Sequence, residues 1–186
     1  MLKSALLMMI ALTLITGVVY PLAFTAFAYA VFPQQAGGSL VMRKGNVVGS
    51  RLIGQQFNDP KYFWSRPSAT APFPYNAASS SGSNYGPQSP DLKKAVESRR
   101  ADLKKADPGN TSSIPIDLLT ASASGLDPHI SPEAAEYQAA RVARVRGMHD
   151  SEVRSLIATY TQARQFGFLG QPVVNVLALN RALDDR

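Results

Sequence analysis

The polarity of the chain changes once, near residue 42. From Ser4 to Met42 there is no Asp, Glu, Lys, Arg or His, and Ala5 to Phe32 is apolar apart from Thr13, Thr16, Thr25 and two Tyr. As a helix those 28 residues reach roughly 42 Å, more than the ~30 Å hydrocarbon core of a bilayer, so they can span it with tilt. Pro21, one turn after Gly17, predicts a kink, with Thr hydroxyls able to satisfy freed carbonyls. A cleaved signal peptide competes, because Lys3 supplies a basic start and Ala26, Ala28 and Ala30 offer small-residue cleavage sites. An apolar stretch nearly twice the ~15 residues of a signal core favours a retained anchor. Either way Lys3 stays cytoplasmic and the remainder crosses the membrane.

Beyond the span, alternation and turn residues predict short strands in SLVMR, VVGS and RLIGQQF, with a turn at Lys44, Gly45 and Asn46. Asn58 to Pro90 holds six Pro and seven Ser, together with Tyr62, Phe63, Trp64, Phe73, Tyr75 and Tyr85. A disordered linker is poor in rings, so this stretch is expected to be an ordered, irregular loop that packs its aromatics on the domain or on a partner. Ser89 and Pro90 open a helix whose Leu92, Ala95, Val96, Arg99 and Leu103 share one side, ending at DPGN. IPIDLL reads as a strand and TASASGLDPHI as a turn-rich connection. Ser131 with Pro132 opens a helix to Gly147, and Asp150 is expected to cap another, striped by Val153, Leu156, Ile157 and Tyr160. QPVVNVLAL reads as a strand and LNRALDDR as a last helical turn. The predicted fold is thus a single N-terminal transmembrane helix followed by a mixed α/β (α+β) extracytoplasmic domain, with residues 1–4 cytoplasmic, 5–32 in the membrane and 33–186 beyond it.

The chemistry available is narrow. The chain has no Cys, which excludes disulfides and thiol nucleophiles, and a net charge of +6. His129 in GLDPH lacks a second His at metal spacing and is read as a hydrogen-bonding turn residue; His149 is read as a solvated neighbour of a helix cap. Ser79 to Ser81, Ser83, Ser122 and Ser124 lack a nucleophile elbow, and GSNYGP lacks the Lys of a phosphate loop. The basic residues Lys93, Lys94, Arg99, Arg100, Lys104 and Lys105, and Arg141, Arg144 and Arg146, are read as solvated helix faces or headgroup contacts, not a nucleic-acid surface. Phe63, Trp64, Arg66, Phe73 and Tyr75 form the expected partner-binding set, since rings and a guanidinium among prolines make interface anchors, although Arg66 clamping the domain internally fits equally well.

Five strings, RLIGQQF, YFWSRPSAT, PYNAASSSGSNYGP, LLTASASGLDPHISPEAAEYQAARVARVRG and GQPVVNVLALNRAL, follow one another after a single span. Together they resemble the C subunit of the Kdp-type potassium-transporting ATPase, over nearly the whole chain. Gln55, Asn76, Ser83, Asn84, Gly125, Asp127, His129 and Asn175 lie in these strings and are carried as family-motif positions. The resemblance implies a small non-catalytic subunit of an inner-membrane complex, partnered by a potassium-translocating channel-like subunit and a P-type ATPase subunit, and by membrane lipid. It also implies a catalytic chaperone that raises the ATP affinity of the ATPase subunit, with no cofactor bound firmly and ATP met only in the complex. An extracytoplasmic domain cannot meet cytoplasmic ATP directly, so that role is read as indirect. An anchored extracytoplasmic binding module and an exported serine hydrolase are the other classes to be separated.

Overall fold

The computed structural model describes residues 2–186, which divide into two compact units, one through Ser50 and one over Arg51–Arg186. The first begins with helix α1, Leu2–Val31, none of whose residues is buried. Just before Pro21 the helix widens into a π-helical turn at Ile15–Val19, where the Tyr20 N–H donates to the Ile15 carbonyl. Pro21 has no N–H and its ring crowds the carbonyl one turn back, and the wider turn relieves both. Thr16 Oγ1 donates to the Leu12 carbonyl at 2.7 Å, the expected use of a Thr hydroxyl. A single helical turn, Pro33–Ala36, then leads to an antiparallel hairpin of β1 (Leu40–Arg43) and β2 (Asn46–Ser50). Its two-residue turn places Lys44 and Gly45 at φ 49° and 83°, the backbone twist that tight hairpins prefer.

The second unit is built on α2 (Pro90–Ala106), α3 (Pro132–Arg146), α4 (Asp150–Tyr160) and α5 (Val176–Asp184), with three short strands β3 (His129–Ile130), β4 (Thr161–Gln162) and β5 (Val173–Asn175). The sheet is antiparallel with order β3-β5-β4. Helix α3 starts as its sequence indicates: Ser131 accepts the Ala134 N–H, Pro132 follows, and Gly147 ends it at φ 66°. Its buried Ala134, Ala135, Ala139, Val142 and Ala143 meet the α4 stripe of Val153, Leu156 and Ile157, with Val174, Leu179 and Leu183 completing the core. Small residues on α3 let the neighbouring backbone approach closely.

Four element assignments change. RLIGQQF is not a strand: Gly54 donates its N–H to the Leu126 carbonyl at 2.8 Å, and a Cβ there would strike the Tyr75 ring and the Asp127 carbonyl. IPIDLL is a 3₁₀ turn over Ile116–Leu118; Pro115 removes a ladder donor, and Leu118 and Leu119 are both buried, a pattern no two-faced strand allows. His149, not Asp150, is the N-cap of α4, with Glu152 accepting the His149 N–H. QPVVNVLAL is a strand only through Asn175, whose side chain accepts the Ala178 N–H and converts the rest into α5, nine residues long instead of one turn. The loop Asn58 to Pro90 is ordered and irregular, with one 3₁₀ turn at Ala77–Ser79.

Candidate docking cleft

Because the loop lacks ladder partners, its backbone must be satisfied by side chains, and helices α3 and α5 supply them. Asn180 accepts the Phe63 N–H at 2.8 Å and donates to the Phe63 carbonyl at 3.0 Å. Gln138 does the same for Trp64, at 2.8 and 3.2 Å. These two carboxamides act as the neighbouring strand the loop does not have. Arg141, one turn on from Gln138, is only 2% exposed; it donates to the Pro60 and Tyr62 carbonyls and to Gln138 Oε1, and lies 4.9 Å from the centre of the Trp64 ring. Burial pulls its pKa down to about 10, so it stays charged at neutral pH. Arg146 donates to the Lys61 and Leu183 carbonyls and pairs with Asp184, while Arg144 pairs with Asp107 at 2.8 Å. Arg141 and Arg146 are therefore not part of a solvated face, whereas Arg144 is exposed as expected. Arg141 and Arg146 clamp the loop, because a guanidinium can satisfy several carbonyls at once.

Further along, hydroxyls fold the loop on itself. Ser68 Oγ donates to the Gly125 carbonyl at 2.7 Å and accepts the Tyr75 N–H at 2.9 Å; Thr70 Oγ1 donates to the Phe73 carbonyl and accepts the Asn76 N–H. Gly125, at φ 67°, sits where a Cβ would run into Thr70 and within 2.7 Å of the Ser81 carbonyl. Tyr75 donates its hydroxyl to the Arg66 carbonyl, and burial pushes its pKa up to about 12. Arg66 pairs with Asp127 at 3.3 Å and reaches the Thr120 carbonyl, so it does clamp the domain internally. Burial alone would raise the Asp127 carboxyl, but hydrogen bonds from His129 and Arg66 outweigh it and hold it below the usual carboxylate range. His129 donates its backbone N–H to Asp127 at 3.0 Å, the turn role read for it, and pairs with Asn175 across β3 and β5.

Between this loop and α2 lies a cleft of about 560 Å³. Trp64, Arg66 and Tyr75 line one wall, and Arg99, Leu103 and Lys105 the other. Arg99 donates to the Leu119 carbonyl at 2.7 Å, its charge disfavoured by burial, and no carboxylate pairs with it among the described residues. Arg66, Arg99 and Lys105 stand against one lining acid, Asp102, and although Arg66 is paired with Asp127, Arg99 and Lys105 beside three rings and two leucines make a cleft suited to an apolar group carrying negative charge.

The expected partner-binding residues thus part company. Phe63 is wholly buried in the core and offers no ring to a partner, because its backbone is held by Asn180 from beneath. Trp64, Arg66 and Tyr75 come together at the cleft. Phe73 stands apart from the cleft lining and is 56% exposed. Of the family-motif positions, Gly125, Asp127, His129 and Asn175 gather around the β3 end of the domain; Asn175 also donates to the Arg51 carbonyl, and the Gln55 carbonyl accepts from Ser65. Asn76 is buried and caps the 3₁₀ turn, Ser83 is half-buried, and Asn84 is exposed at φ 53°. Arg99 is half-buried and bonded to the Leu119 carbonyl, not on the solvated face expected of it, and Asn180 carries no sequence signal beyond being a lone Asn in an apolar helix face. Among the described residues no group of three or more His, Asp or Glu could hold a metal ion.

A helix long and apolar enough to cross a bilayer, followed by a domain with a cationic, ring-lined cleft, fits the class of membrane-anchored proteins. The family model described as "K+-transporting ATPase, c chain" matches residues 2–185. The "Potassium-transporting ATPase KdpC subunit" of Methylococcus capsulatus is 61% identical, with 98% of this chain and 96% of the relative covered. The like-named proteins of Variovorax paradoxus (60%; 98% and 94% covered) and Methylibium petroleiphilum (58%; 100% and 97% covered) agree. The chain belongs to the KdpC family of potassium-transporting ATPase subunits.

Proposed function

We propose that the chain is a non-catalytic accessory subunit that holds together an ATP-driven potassium uptake complex of the inner membrane, with α1 crossing the bilayer from a cytoplasmic N-terminus and the domain on the extracytoplasmic side. Its partners are the channel-like subunit that carries potassium and the P-type ATPase subunit. The cleft carries the reading. Loop and basic helix, expected to differ in role, form its two walls, and Arg99 sits there half-buried without a carboxylate. An acidic side chain or chain terminus from a partner, presented with an apolar neighbour, would pair with Arg99 and Lys105 while its neighbour covers Trp64. The anchor restricts the domain to the same bilayer as its partners, which raises their effective concentration. Any effect on ATP affinity passes through the partner, and no cofactor is held by the chain alone.

Two adjacent lysines test this. Lys105 lines the cleft and Lys104 does not, yet both are exposed on α2, so neither substitution disturbs the core. Lys105→Glu should reduce co-purification of the partner subunits and growth on low potassium, with a cost of about 1–2 kcal/mol for reversing one rim charge. Lys104→Glu should leave both unchanged. Equal effects from the two, or none from either, would remove the cleft from the interface.

A further inference from the structure

Opposite in character to the cleft is the hairpin that joins β4 to β5. Its chain closes on a Gln165–Leu169 bridge, each N–H donating to the other's carbonyl at 2.9 Å. The turn between them puts Phe166 at φ 52° and Gly167 at φ 81°. Glycine is suited to that region and phenylalanine is not, so the tip bears backbone strain at an aromatic residue. The ring of that residue points into solvent: Phe166 is 85% exposed, the most exposed aromatic among the described residues, with Phe168 at 70% and Leu169 at 47%. Arg164 is the only ionisable residue of the hairpin and has no acidic partner among the described residues, and no Asp or Glu occurs anywhere from Val153 to Leu183. An ordered tip that exposes two rings and a leucine beside an unpaired cation is shaped for burial elsewhere.

We propose that this tip, Arg164 to Leu169, plugs into an apolar pocket with an acidic rim on another subunit of the potassium-transporting ATPase. The inference rests on the reading of the chain as a subunit of that complex, but not on the cleft. Two rings beside one Arg match the composition of a protein hot spot. A headgroup surface is a poorer match, since it is recognised by clusters of several basic residues and this hairpin has one. A second copy of the chain joined tip to tip would bring Arg164 against Arg164, with no carboxylate to separate them. The plug supplies apolar burial, and Arg164 sets its orientation through the rim.

Photoreactive p-benzoylphenylalanine, which keeps the benzyl core of Phe and extends it by a benzoyl group, is placed at position 166, at position 168, and at exposed Ser151 on α4 as a control, in the full chain assembled with its complex in membranes. Irradiation should join positions 166 and 168 to one pocket peptide of another subunit, and position 151 should not join it. Cross-links to lipid, to a second copy, or to nothing overturn the proposal. Phe166→Ser with Phe168→Ser should lower co-purification of the other subunits at least tenfold. Arg164→Glu, which leaves the rings in place, should lower it about threefold to tenfold; an unchanged yield with either variant overturns it. Absence of partner subunits with the unsubstituted chain would instead overturn the reading of the chain as a subunit, and the plug with it.

Discussion

Replacing Gln138 by Leu removes the carboxamide that stands in for a missing strand beside Trp64. The volume changes little, but Gln138 is 1% exposed and all its polar contacts are internal. Its loss leaves the Trp64 N–H and carbonyl without their bonds of 2.8 and 3.2 Å, and takes one acceptor from buried Arg141. Two backbone groups stranded at about 1–3 kcal/mol each, plus one lost bond to a charged donor at about 1.5–3 kcal/mol, give roughly 4–9 kcal/mol before relaxation. Partial access of water to the half-buried Trp64 backbone lowers this to about 3–5 kcal/mol, a large share of the ~5–15 kcal/mol of a typical domain. The one Trp of the chain sits on the network, so its fluorescence in a denaturant titration of the full chain in detergent reports the loss directly. The midpoint should fall steeply, and the native emission should shift to the red as the loop lifts from α3. A midpoint within about 0.5 kcal/mol of the unsubstituted chain would show that the loop needs no surrogate strand.

Acid should weaken the loop through Asp127. Its folded-state carboxyl titrates below the unfolded value of 3.8, so its stabilisation is present above about pH 4 and lost as pH falls through the lowered folded value; Asp127→Asn should flatten that limb of an acid titration followed by Trp64 emission. Mass spectrometry of the membrane-extracted protein should show α1 retained, and a chain beginning after Ala28 or Ala30 would instead mark a cleaved signal. Calorimetry of the full chain at millimolar ATP should find no saturable micromolar binding; such binding, lost on replacing Gln55, Gln138 or the GSNYGP residues, would break the topology argument.

The elements legible in the sequence were those whose signals are local. Ser131, Pro132 and Gly147 mark both ends of α3, and the stripe of Val153, Leu156 and Ile157 needs only helical periodicity. What failed depended on contacts distant along the chain. Gly54 leaves the strand pattern because of Asp127 and Tyr75, and Arg141 looks like a surface cation until the carbonyls of Pro60 and Tyr62 arrive from 81 and 79 residues away. The site was half legible for the same reason. Rings and Arg66 raise the expectation of an interaction surface, but no local pattern tells that Phe63 faces the core, that Trp64 lines a cleft, or that Arg99 lines it too.

The central claim is that this chain works as a fixed part of a potassium-transporting complex and not alone. Native mass spectrometry of the tagged chain, solubilised from membranes of cells grown on low potassium, tests it most directly. The account predicts one defined assembly containing the intact anchored chain with the channel-like and P-type ATPase subunits. A chain recovered free, or with a ligand but neither subunit, would contradict it.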